Sequence, residues 1–101
     1  MIRISITQGK KKEITIDAKG HADYNPGNDI VCSGVSALLQ ATQGYLMYEC
    51  KSFEVDAKSG FMHFEYKGHT EATTMLIIGL LRIQKAYPDN VNVEYDVNFL
   101  H

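Results

Sequence analysis

Apolar and polar positions alternate at the start of the chain: Ile2, Ile4 and Ile6 share one face of residues 2–7, and Ile14, Ile16 and Ala18 share one face of 13–18. A polar turn containing Gly9 separates them, which predicts a hairpin with one buried face. The period vanishes from Gly20 to Asn28, where Pro26 and Gly27 are of turn type, and a mobile loop is expected there. Spacings of three and four then connect Val31, Val35, Leu38, Leu39, Thr42, Tyr45 and Leu46. They predict a helix that is capped by Asp29 and runs to about Met47 or Tyr48. Phe53, Val55 and Ala57 alternate with charged residues, and beyond Lys58-Ser59-Gly60 the aromatic-rich run 61–66 completes a second hairpin. Thr70 is placed to cap a second helix carrying Ala72, Met75, Leu76, Gly79, Leu80 and Ile83, which Pro88 stops just past Tyr87. Val91, Val93, Tyr95 and Val97 alternate in a last strand. The order ββαββαβ predicts an α+β fold, with two helices packed on a mostly antiparallel sheet of about five strands.

The length of 101 residues fits one domain, spanning 1–101, and 45% hydrophobic with 22% charged residues is an ordinary globular composition. A chain this short hides only about 60–70% of the surface it exposes when unfolded, so a homodimer is expected. The formal net charge of −2 and the dispersal of the basic residues argue against direct nucleic-acid binding. The one basic run, Lys10-Lys11-Lys12, falls at the tip of the first hairpin and is expected to be solvated. The N-terminus reads as a strand and not as a signal peptide, and the longest apolar stretch, around Met75 to Ile83, is far short of the ~20 residues that cross a bilayer. No membrane association is expected, and the location should be cytoplasmic, where thiols stay reduced. With only Cys32 and Cys50 present, a disulfide framework is not expected and a thiol is left for chemistry.

Candidate chemistry concentrates in residues 20–36. With Asp29 as N-cap, Cys32 is the third residue of the first helical turn, where free N–H groups and the positive end of the helix dipole favour an anion. A thiolate is such an anion and is the nucleophilic form of cysteine. His21 is the nearest imidazole in sequence, and a loop of ten residues can fold it back over the helix start. The helix N–H groups could also hydrogen-bond the oxyanion of a tetrahedral intermediate. By residue type alone, Cys32 could equally be a small buried hydrophobe, His21 a surface residue and Asp29 simply a cap.

Gly-His-Ala at 20–22, a short loop, Asp-Ile-Val-Cys at 29–32 and Val-Ser at 35–36 together resemble the signature of the ribosomal-processing cysteine proteases, the Prp family. The resemblance extends over essentially the whole chain. It implies a bacterial endopeptidase that removes a short N-terminal extension from a large-subunit ribosomal protein, an extension that would otherwise reach the peptidyl-transferase centre. It further implies His21 as catalytic base and Cys32 as nucleophile, with Asp29 and Ser36 in support, Ser36 lying one helical turn beyond Cys32 on the same face. No cofactor and no metal are implied. Two departures are visible: the loop before Cys32 is about one residue shorter than the family pattern, and Ser33 stands where alanine is usual.

Elsewhere the candidates are weaker. Cys50 is expected to be structural, and His63 and His69 surface or cap residues. A zinc site from His21, Cys32, His63 and His69 has no supporting CxxC or HxxxH spacing. Tyr45, Phe53, Phe61, Phe64, Tyr66, Tyr87 and Tyr95 are expected in the core, one or two of them lining a substrate slot. Two alternatives stand beside the protease: a catalytically silent peptide-binding module that works by strand addition, and a thiol redox sensor.

Overall fold

The computed structural model describes residues 1–50, 54–58 and 60–100. Its elements are β1 (Ile2–Gln8), β2 (Glu13–Lys19), α1 (Ile30–Glu49), β3 (Glu54–Lys58), β4 (Phe61–Lys67), α2 (Thr70–Ala86) and β5 (Val91–Asp96). They form one five-stranded sheet in the order β3-β4-β2-β1-β5. Three pairings are antiparallel, and β5 returns through α2 to lie parallel to β1. Strand alternation then sets the core, because apolar residues fall opposite one another in rows such as Val93–Ile4–Ala18–Met62 across four strands. Ile6, Ile14, Ile16 and Phe64 are each 0% exposed, and burying an isoleucine of this kind stabilises by roughly 1.5–3 kcal/mol. Val31, Val35, Leu39 and Leu46 of α1 and Leu76, Ile77 and Leu80 of α2 cover that face in a single cluster. The opposite face is polar, with Asp17 and His63 joined across β2 and β4 at 2.6 Å.

Three expectations change. Thr70 is not the cap: it is the first helical residue, and His69 holds the cap position in a left-handed conformation with no side-chain cap bond. Gly68 and His69 both have positive φ, and this tight turn starts the helix one residue after His69. The turn is held instead by a relay. Thr73 donates its hydroxyl to the His69 carbonyl (2.9 Å), which leaves its oxygen to accept from the buried Tyr66 hydroxyl at 2.5 Å. Because Thr73 occupies a core position, the buried stripe of α2 is Thr73, Leu76, Ile77 and Leu80, and Met75 is 73% exposed. Among the described aromatics only Phe64 and Tyr66 are buried; Tyr45 and Tyr95 lie outside, at 47% and 44% exposure, and Phe61 and Tyr87 are half-buried. Phe53 and Ser59 lie outside the described residues. Among those described, no helix is long and apolar enough to cross a membrane.

Candidate active site

The loop after β2 is drawn over the sheet by backbone contacts. Gly20 has φ 95, and a Cβ there would stand 2.4 Å from the Met1 carbonyl oxygen, so only glycine fits. Its N–H donates to the Gly60 carbonyl (2.8 Å) in the β3–β4 turn. This bond brings the exposed His21 onto the same turn: a methyl group on Gly60 would lie 2.9 Å from His21 Nε2. Ala22 follows with its side chain 1% exposed. The Ala22 N–H donates to Cys32 Sγ (3.4 Å), and its carbonyl accepts from Asn90 Nδ2 (2.9 Å) in the turn between α2 and β5. The Tyr24 ring meets Tyr87 edge-on, with centroids 5.1 Å apart.

Asp29 is the N-cap of α1, as its position in the sequence predicts. One carboxylate oxygen accepts from the N–H groups of Val31 (3.0 Å) and Cys32 (2.9 Å), the other from Tyr24 (3.0 Å) and Asn25 (3.3 Å). The Cys32 N–H, with those of Asn25, Tyr24 and Val31, holds this carboxyl below its ordinary range against a desolvation that opposes it. The loop is therefore fastened to the helix through one side chain. The same bonds occupy two of the N–H groups that the sequence offers to an oxyanion, and the Ser33 N–H is taken by the Asp29 carbonyl (3.0 Å).

Cys32 is half-buried, in the first turn of α1. It lies with His21 where two open grooves meet. One, of about 330 Å³, continues past Val35, Ser36 and Leu39 to Lys58, Phe61 and Met62; the other, of about 370 Å³, runs under Asp23, Pro26, Gly27 and Ser33. His21 and Cys32 thus line both grooves, Ser36 only the first and Asp29 only the second. Among the described residues no hydrogen bond joins the His21 imidazole to Cys32. Cys50 caps the far end of α1, His63 lies on the polar face of the sheet, and the His69 ring meets Tyr45 edge-on at 5.6 Å. Among the described residues no group of three or more His, Cys, Asp or Glu is placed to hold a metal ion. Lys58, Gly60, Met62 and Asn90 border or brace the site without any signal in the sequence beyond the turn chemistry of Gly60.

A family model described as cysteine protease Prp matches residues 1–92. The chain belongs to this family. Membership makes it a cysteine protease, a hydrolase. The ribosomal processing cysteine protease Prp of Staphylococcus aureus strain Mu50 is 30% identical over 107 aligned residues, covering 94% of this chain and 99% of that protein. Two crystal structures of the essential ribosomal processing protease Prp from S. aureus share the fold. One, with a covalently linked product peptide, gives a TM-score of 0.80 at 23% identity over 95% of this chain and 100% of that one. The other, with a substrate peptide, gives 0.75 at 22% identity over the same 95% and 100%. A Streptococcus mutans protein matches with TM-score 0.70 at 20% identity, over 97% of this chain and 96% of its own.

Proposed function

We propose that this protease is an endopeptidase that removes a short N-terminal extension from a large-subunit ribosomal protein in the cytoplasm, with Cys32 as nucleophile and His21 as general base and acid. The observation that carries this reading is the junction of the two grooves. An extended peptide running from one into the other passes over both side chains. The Cys32 thiolate attacks the scissile carbonyl carbon, forming the C–S bond as the carbonyl electron pair moves to oxygen. His21, having taken the thiol proton, returns it to the departing amine as the C–N bond breaks. Water then attacks the thioester, His21 takes its proton, and the sulfur leaves. With the Val31 and Cys32 amides engaged by Asp29, the Ala22 N–H aimed at the sulfur is a donor able to follow the charge onto the oxyanion. Asp29 supports the reaction by fixing the helix start, and Ser36 by offering a hydroxyl to peptide in the groove that runs to Met62. Pairing into a homodimer is a separate proposal, resting on chain length and tested by sedimentation.

Peptides spanning such an extension, followed by mass spectrometry for cleavage and calorimetry for binding, provide the test. Cys32→Ala, Cys32→Ser and His21→Ala should each abolish cleavage and keep binding, and the double alanine variant should be little worse than Cys32→Ala, since groups acting as a unit are not additive. Cleavage by Cys32→Ala at the wild-type rate would refute the mechanism. Wild type that binds without cutting would favour the silent binding module.

A further inference from the structure

We infer that Asn90, in the turn between α2 and β5, is a positioning residue for the reaction, acting through the Ala22 peptide group; the inference rests on the assignment of Cys32 and His21 above. Ala22 is the hinge of the site. It is bonded to His21 on one side, its side chain is buried, its N–H reaches Cys32 Sγ at 3.4 Å, and its carbonyl is held by Asn90 Nδ2 at 2.9 Å. A carbonyl only accepts, so the amide of Asn90 must present its NH₂ side to Ala22. Asn90 itself is anchored by its backbone: its N–H donates to the Tyr87 carbonyl (3.0 Å) and its carbonyl accepts from the Ile2 N–H (2.9 Å). The donor therefore stands in a turn tied by its backbone to the end of α2 and the start of β1, and fixes the plane of a peptide that belongs to a loop. Rotation of that plane would swing the N–H off the sulfur and carry the neighbouring His21 with it. Among the described residues no other hydrogen bond to Ala22 opposes the rotation from outside the loop and helix: Gly20 is tied two residues earlier, and Tyr24 and Asn25 are tied to Asp29 two and three residues later. The backbone bonds of Asn90 do not involve its side chain, so a substitution removes the clamp and leaves the anchor.

Asn90→Ala deletes the donor, and Asn90→Asp keeps the shape while placing an acceptor against an acceptor. Each should lower kcat about 10- to 100-fold, the range for a misplacement on the order of 1 Å, with KM for the ribosomal peptide changed less than about twofold. Alkylation of Cys32 by iodoacetamide should slow several-fold while that of Cys50 holds. Gln84→Ala is the control. It removes a comparable side-chain bond to β5, the 2.5 Å contact from the Val93 N–H, and should lower the unfolding temperature without lowering kcat. Wild-type kcat in both Asn90 variants, a rise in KM in place of a fall in kcat, or a loss no larger than the loss of folded protein would each overturn the inference. These outcomes are read against the Cys32→Ala variant, whose cleavage tests the nucleophile independently of Asn90.

Discussion

Gly60 is the position at which backbone strain and catalysis can be separated. It has φ 73, and a Cβ added there would meet His21 Nε2 at 2.9 Å and Cε1 at 3.3 Å. Gly60→Ala therefore has two consequences. The left-handed backbone costs roughly 1–2 kcal/mol for a residue with a Cβ. For a domain of this size that lowers the unfolding temperature by roughly 4–8 °C per kcal/mol. The second consequence is local: to restore ordinary contact distances of about 3.5–4.0 Å the imidazole must withdraw by about 0.5–1 Å, which would lower kcat on the order of 10- to 100-fold. Gly68→Ala isolates the first effect, because Gly68 has φ 77 and a Cβ there meets nothing within 4 Å. Thermal melts and peptide cleavage measured side by side should show both variants equally destabilised and only Gly60→Ala slow. If Gly60→Ala cleaves as fast as Gly68→Ala, the contact between His21 and the β3–β4 turn has no part in placing the base.

Iodoacetamide should label Cys32 faster than Cys50 at neutral pH, because Cys32 alone accepts the Ala22 N–H, and Asp29→Ala should slow that labelling by releasing the loop that carries Ala22, and should lower the melting temperature by removing the cap. Equal rates at the two cysteines would remove the basis for a reactive Cys32. Burial pushes the Tyr66 hydroxyl up to about 12 from 10.0, opposed by its bond to Thr73. The unfolded chain therefore loses this proton first as pH rises. The contribution to stability is complete below about pH 10 and is lost as pH rises through about 12. Urea melts across that window should show a shallower alkaline loss in Tyr66→Phe, which should also lower stability at neutral pH by about 0.5–1.5 kcal/mol. An unchanged alkaline slope would place the loss elsewhere.

Much of the fold is written in short-range patterns. Ile2, Ile4, Ile6, Ile14, Ile16 and Ala18 alternate because one face of the first hairpin is buried and the other wet, and that period survives in the structure unchanged. Asp29 was legible for the same reason: capping is a bond between a side chain and N–H groups two and three residues on. The start of α2 was not legible, because a left-handed His69 and the relay from Tyr66 through Thr73 depend on β4 and α2 meeting. No local pattern distinguishes Thr73 from Thr70 as the residue that secures the turn. Likewise the outward Tyr45 and Met75 belong to apolar stripes in sequence, yet each lies just off the line that faces the sheet.

The site itself was legible only in part, and the division follows the chemistry. Position at a helix start makes Cys32 a candidate, and the first-turn N–H groups are the local explanation for an anion there. In the structure those groups serve a different anion: the Val31 and Cys32 amides bind the Asp29 carboxylate, whose charge offsets the field they would otherwise present to the sulfur. The donor that actually touches Sγ comes from Ala22, ten residues earlier, and it is aimed by Asn90, 68 residues further on. This contact points an N–H dipole at the sulfur from outside the helix. The local part of the design, helix and cap, holds Cys32 still, while the electrostatic part depends on two turns that meet only after the sheet has formed. A helix start with Asp three residues before Cys therefore does not by itself set a thiol apart; what sets Cys32 apart here is the Gly-His-Ala segment that crosses above, fixed at Gly20 by the Gly60 carbonyl and at Ala22 by Asn90.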